Sequence, residues 1–211
     1  DMAADWLTCI KRAWTEQDFD HHGEYFTIKG GFLLPKPVQQ PHPVVINAGN
    51  SEEGREFSAR HVDFNFITIA TESQAGDLVR DIHRRAAGYG REVGVMSYGL
   101  VCCRDTEEEA WALYRSIVDQ GDWEATHNIM GLLGMESSSF NEQIKQFGER
   151  FIAGWGGFPL VGTPEQVVDK MLALANLGIE GFILTWLDYH EELKYFGERV
   201  LPLMKQAGLR S

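Results

Sequence analysis

The chain has 211 residues, 44% of them hydrophobic and 24% charged, with a formal net charge of −12. That length supports one sizeable core or one large α/β domain, and the acidic balance argues against nucleic acid or an anionic membrane surface as a partner. No apolar run reaches the roughly 18 residues of a membrane-spanning helix, and no secretory leader opens the sequence. The cysteines, Cys9 and the adjacent pair Cys102 and Cys103, form no CxxC spacing and no disulfide framework, which points to a reducing, cytoplasmic setting.

The sequence opens inside an amphipathic pattern (Trp6, Leu7, Ile10, Trp14), so residues 2–15 read as a helix and the start as the middle of something. Residues 18–31 hold Phe19, Tyr25, Phe26 and Ile28 between glycines, the pattern of a small hairpin. Pro35, Pro37, Pro41 and Pro43 then fix an extended connector. Val44, Val45 and Ile46 form a short β-branched run that suits a strand buried on both faces. It ends in Ala48-Gly49-Asn50-Ser51, where Gly49 permits a sharp turn and close approach of a ligand, and Ser51 is a good N-cap for a helix to about residue 61. A helix N-terminus straight after a strand leaves backbone N–H groups for an anion. A capped turn without a ligand is the plainer reading of the same residues, and Glu52 and Glu53 would repel phosphate unless they point outward.

Further along, 63–69 reads as a second strand, 73–90 as a helix, 93–103 as a third strand and 106–119 as an acid-started helix. Residues 120–160 differ: Met130, Gly131, Gly134, Met135 and Ser137 to Phe140 lead to Gly154-Trp155-Gly156-Gly157-Phe158-Pro159. This reads as inserted helices with a glycine-rich closing loop. Thr163-Pro164-Glu165-Gln166 starts a helix that stops at Gly178. A fourth strand covers 181–187, and a last helix covers 190–207. Strand–helix alternation of this kind predicts a parallel sheet with crossover helices. A complete (β/α)8 barrel takes about 250 residues, so the pattern fits either an open doubly wound sheet or the C-terminal half of a barrel.

Other chemistry-bearing residues have plainer roles. His21 and His22, with Asp18 and Asp20, point to opposite faces of a hairpin and predict no metal site. Cys102 and Cys103 read as core thiols on a strand. His61 and His83 fall on solvated helix faces, and His127 lies in the insertion. Asp188 and His190 follow the last strand, where His190 suits acid–base chemistry and Asp188 reads first as a helix cap.

These residues carry a resemblance. Trp14-Thr15, Phe19-Asp20 and Gly23-Glu24-Tyr25-Phe26, followed by the proline connector from Pro35 to Pro43, are similar to the luciferase-like flavin-dependent monooxygenases. So are Ala48-Gly49-Asn50-Ser51 with Gly54, Val161-Gly162-Thr163-Pro164-Glu165-Gln166-Val167, Leu177-Gly178-Ile179, Gly181-Phe182, and Phe196-Gly197 with Val200-Leu201-Pro202-Leu203-Met204. The resemblance covers essentially the whole chain. It implies a (β/α)8 TIM barrel, of which residues 1–211 form one domain carrying about strands five to eight, with an insertion and lid at about 120–160.

The resemblance further implies a two-component enzyme. Reduced FMN, supplied by a separate NAD(P)H-dependent reductase, reacts with O2 to a C4a-(hydro)peroxide that oxygenates a small organic substrate, a sulfone, sulfonate or N-heterocycle. Ala48, Gly49, Asn50 and Ser51 match the FMN phosphate loop, and Gly154, Trp155 and Gly156 match the lid. The alkanesulfonate branch places cationic groups where this sequence has Tyr98, Leu100, Trp155 and Tyr189, with His190 one step on. Their loss favours a neutral substrate and the dimethyl sulfone and pyrimidine side of the family, with Asp188-Tyr189 as part of the likeness. His190, Tyr189 and Trp155 are the catalytic candidates, and Tyr98, Trp186 and Asp188 are candidates for the substrate site. A homo-oligomer is also implied. Two alternatives stand beside this: a deazaflavin F420-dependent oxidoreductase of the same superfamily, and a non-catalytic flavin-binding half barrel that needs a partner chain.

Overall fold

The computed structural model describes residues 1–132 and 142–210. The predicted features at Gly134, Met135 and Ser137 to Phe140 lie outside the described residues. The chain divides into two compact units, Asp1–Asn65 with Ile82–Gly94, and Phe66–Asp81 with Val95–Ser211.

In the first unit, helix α1 (Met2–Thr15) precedes an antiparallel hairpin of β1 (Phe19–His22) and β2 (Thr27–Gly31). The hairpin is tied to α1 by one carboxylate. Asp5 Oδ1 lies 2.6 Å from His21 Nε2, and Oδ2 accepts from the N–H groups of Tyr25 and Phe26. Gly23 is required beside it, since a Cβ there would fall 2.0 Å from Asp5 Oδ1. The proline connector leads to β3 (Ile46–Asn47), which runs parallel to β4 (Phe64–Phe66) with Asn47 opposite Asn65. Helix α2 (Glu52–His61) starts on Ser51 as predicted, and α3 (Glu72–Gly88) follows β4.

The second unit is built on β5 (Gly94–Cys103), whose last five residues are all buried. One edge of β5 pairs in parallel with β7 (Gly181–Thr185), from Met96 opposite Gly181 to Leu100 opposite Thr185. The other edge takes the N–H of Ile67 at Met96 O, and then β6 (Phe158–Gly162), from Gly99 opposite Phe158 to Cys103 opposite Gly162. Strand β6 departs from the sequence reading, which has a loop through Pro159. Leu160 and Val161 are fully buried there, and Pro159, which has no N–H, sits near the strand's start, where it is tolerated.

Helices α4 (Glu107–Asp119) and α7 (Pro164–Asn176) both open on complete capping boxes, Thr106 with Glu109 and Thr163 with Gln166. Between them lie α5 (Trp123–Leu132) and α6 (Glu142–Gly154). The last helix is not continuous. It divides into α8 (Tyr189–Tyr195), a π-helical turn (Phe196–Val200) and α9 (Leu201–Gln206). Pro202 explains the break, because its ring would collide with the carbonyl four residues back and it offers no N–H. No helix among the described residues is long and apolar enough to cross a membrane. Strands β3 to β7 pair in parallel and each is followed by a helix, the alternation that the sequence predicts.

Candidate functional site

The first unit presents a braced turn. Asn47 donates from Nδ2 to Gly54 O at 3.3 Å and to Ser58 Oγ at 2.9 Å, tying the end of β3 to α2. Asn65, fully buried, donates to Asn47 O and Gly49 O at 3.2 and 3.0 Å. Gly49 does not need a left-handed backbone. It is glycine because a Cβ would stand 2.8 Å from the backbone of Gly54. This bracing leaves Ala48, Asn50 and Ser51 exposed. Ser51 Oγ accepts from Gly54 N at 3.1 Å, and a hydroxyl that accepts one bond keeps its proton to donate. The N–H groups of Glu52 and Glu53 have no helical acceptors, since they open the helix.

Charge at this turn is managed by arginines that the sequence reading did not single out. Arg55 Nη1 donates to Asn50 O, which brings a cation to the turn. Glu52 points out to Arg85, 3.3 Å away. The chemistry of the donor set therefore fits a phosphate: exposed N–H groups, a hydroxyl and a guanidinium on one helix start.

The second unit holds a pocket of about 310 Å3. Its lining brings together Tyr98, Gly154, Trp155, Trp186 and Tyr189, five of the residues expected at the site, and among the described residues includes no charged side chain. Leu100, Ile117 and Thr185 complete much of the wall. Tyr98 stacks on Phe66 with ring centroids 5.5 Å apart and donates its hydroxyl to Trp155 O. Gly156 and Gly157 crowd the same ring, since a Cβ on Gly157 would lie 3.1 Å from it. Trp186 meets Tyr189 and Phe196 edge-on, each at 5.5 Å. Its indole N–H is sealed from solvent with no acceptor among the described residues. Thr185 Oγ1 donates to Gly99 O, so that hydroxyl proton is committed.

Trp155 is neither a core residue nor part of a long loop. Helix α6 runs through Gly154 and β6 begins at Phe158, which leaves three residues between them. Trp155 itself takes the left-handed backbone at φ 55°, where a bulky side chain is rare, and its residue is 66% exposed. Its ring packs on Phe151 at 5.1 Å.

Three expected residues, Gly156, Asp188 and His190, are not part of the pocket's lining. Asp188 caps α8, accepting from the N–H groups of His190 and Glu191. A residue at the start of that helix then faces outward, and the His190 side chain is 90% exposed with Nδ1 2.9 Å from Glu191. Burial pushes the Cys102 and Cys103 thiols up to about 12, so neither is a ready nucleophile. Asp5, Cys9 and His21 lie within 4.8 Å of one another, a grouping that spans α1 and β1 and that no local spacing announces. The Asp5 carboxylate already takes three donors there, which makes it the clasp of the hairpin.

The comparisons with known proteins agree with one another. The chain is 30% identical over 213 residues to an FMNH(2)-dependent dimethylsulfone monooxygenase of Pseudomonas putida, a match covering 96% of this chain and 57% of that protein. It thus spans little more than half the length of that relative. Among solved structures, a riboflavin lyase superimposes with TM-score 0.82 at 26% identity, over all of this chain and 58% of the other. A long-chain alkane monooxygenase does so with TM-score 0.82 at 25% identity, over 99% and 56%. Residues 1–181 match the family described as luciferase-like monooxygenase, and the chain belongs to that family.

Proposed function

We propose that this chain is the flavin-turn and substrate-pocket portion of a two-component monooxygenase that uses reduced FMN and O2 to oxygenate a small neutral organic molecule. The observation that carries the reading is the pocket wall of Tyr98, Trp155, Trp186 and Tyr189, without a charged side chain among the described residues, in a member of this family. A sulfonate would have to leave its charge unpaired against such a wall, at a desolvation cost of several kcal/mol. A sulfone, an alkyl chain or an uncharged N-heterocycle would not. The relatives named as dimethylsulfone and alkane monooxygenases support that class.

The braced turn would hold the FMN phosphate through the Ser51 hydroxyl and the backbone N–H groups after it, with Arg55 adding charge. Bound reduced flavin would supply the activation of O2. The chain's own part is binding and exclusion. Trp155 and Trp186 present apolar surface that keeps water from the bound substrate. Tyr98 is tied to Trp155 O, and Tyr189 presents its ring to Trp186. A separate NAD(P)H-dependent flavin reductase would provide the reduced cofactor, and a homo-oligomer in the cytoplasm is part of the same proposal.

The test is product formation from dimethyl sulfone, methanesulfonate and a pyrimidine, with FMNH2 against oxidised FMN, with and without O2. Oxygenated product from a neutral compound only when FMNH2 and O2 are both present is the expected result. Hydrogen peroxide alone across the set would defeat the substrate class, and turnover of methanesulfonate in preference to the neutral compounds would defeat the reading of the pocket.

A further inference from the structure

Four backbone carbonyls from two distant segments converge on one guanidinium. Arg150, in the last turns of α6, donates from Nε to Gly157 O at 3.4 Å and from Nη1 to Ala70 O at 3.0 Å. Its Nη2 donates to Gly156 O at 2.8 Å and to Ile69 O. Ile69 and Ala70 follow β4, and Gly156 and Gly157 precede β6; none of them lies in a helix or strand. These are carbonyls that secondary structure does not serve, and a planar fork with five N–H donors can serve all four at once.

No hydrogen bond of Arg150 to a carboxylate exists among the described residues, and partial burial lowers its affinity for a proton. A partly buried cation without an anion beside it is costly, so its place must rest on those carbonyls. What they hold is the turn that carries Trp155. That residue sits in a strained left-handed backbone, and Tyr98 is fastened to its carbonyl. Both aromatic side chains line the pocket.

We propose that Arg150 is a positioning residue that clasps the turn after Trp155 to the segment after β4 and so fixes the Trp155–Tyr98 wall of the pocket. The proposal rests on the reading of that pocket as the substrate site. Arg150 touches no substrate in it; it acts through the turn.

The experiment compares wild type, Arg150→Ala and Arg150→Lys in the full chain, by hydrogen exchange and by steady-state kinetics. In Arg150→Ala, the amides of residues 155–157 should exchange about tenfold faster or more, with the amides of β7 unchanged. KM for the organic substrate should rise about tenfold while kcat falls less than about threefold, as expected when substrate binding is loosened. Arg150→Lys, which keeps the charge but not the fork, should fall between, and added guanidinium ion should bring the Ala variant back toward wild type. If Arg150→Ala does not fold, Arg150→Lys carries the same comparison. Unchanged exchange in the turn would overturn the clasp. Faster exchange with unchanged KM would overturn the positioning role. A wild-type chain without flavin-dependent turnover would instead remove the site reading, and the exchange data would report on the clasp separately.

Discussion

Gly49 and Gly54 meet backbone to backbone: a Cβ on Gly54 would stand 2.7 Å from the Gly49 Cα, and one on Gly49 would stand 2.8 Å from the Gly54 Cα. The exposed turn between them is held by this contact and by Asn47 and Asn65 from behind. Glycine inside a helix normally costs about 1 kcal/mol against alanine. Here the crowding should outweigh that gain, since overpacking costs about 1–3 kcal/mol. Gly54→Ala is therefore expected to lower the melting temperature. Gly88→Ala, at the end of α3 with open space around it, is the control and should leave stability equal or raise it. Thermal unfolding of the two variants side by side checks this, and a stabilised Gly54→Ala would show that the turn does not depend on close approach.

Ser51 has two roles that one substitution can separate. Its side chain caps α2 by accepting from Gly54 N, and in the proposed function its hydroxyl also donates to phosphate. Aspartate caps a helix about as well as serine, but it cannot donate a proton and it repels an anion. Ser51→Asp should keep the melting temperature near wild type while FMN affinity falls by about tenfold or more. Ser51→Ala should lose both, with about 1 kcal/mol of stability gone. Fluorescence titration with FMN, paired with thermal unfolding, distinguishes them. Undiminished FMN binding by Ser51→Asp would place the phosphate elsewhere.

How much of this was legible depends on sequence distance. The caps at Ser51 and Thr163 were readable because a cap is settled by residues three apart. Helix α1 and the β1–β2 hairpin were readable from apolar periodicity and glycines alone. Strand β6 was not, because Phe158–Gly162 becomes a strand by pairing with Gly99–Cys103, far back in the chain, and its glycines and proline argue locally for a loop. The π-helical turn was hidden for a different reason: the helix read over 190–207 runs through Pro202, and nothing local says where the chain absorbs its missing N–H. At the site, the family resemblance drew attention to Tyr98, Trp155, Trp186 and Tyr189, and these do share a pocket. His190 drew attention for its chemistry, yet the cap made by Asp188 turns it to solvent. Arg150 and Asn65 had no local signal, since each acts on backbone from another segment.

Trp155 trades backbone comfort for an exposed aromatic face. Left-handed backbone costs a non-glycine residue roughly 1–2 kcal/mol, while its contact with Phe151 returns about 0.5–1.5 kcal/mol. Trp155→Gly should therefore change stability little, whereas Trp155→Ala, which keeps the strain and loses the ring, should be the less stable of the two. Both should raise KM for the organic substrate in the proposed reaction, because the pocket loses the same wall. Melting temperatures in the order Gly above Ala, with KM raised alike, are the expected pattern. The reverse order of stability would mean that the turn does not strain Trp155.

Glu56 gives the first unit an acid-sensitive contact. Hydrogen bonds from Tyr89, Arg85 and Arg60 hold its carboxyl at about 2, well below the usual carboxylate range. Arg85 lies 2.9 Å from one oxygen, and Arg60 lies 2.9 Å from the other. A group whose proton affinity is lowered by folding stabilises the fold above its unfolded pKa. That contribution is fully present above pH of about 4.5 and is lost as pH falls toward about 2. The group is solvent-facing, so salt should weaken the effect. Glu56→Gln removes the titrating group but leaves an amide oxygen for one donor. Plotted against pH, the stability of wild type should fall more steeply between about 4.5 and 2 than that of Glu56→Gln, and the two curves should converge at the acid end. Parallel curves over that window would show that the carboxylate has the same proton affinity folded and unfolded, and that the arginines and Tyr89 lend it nothing.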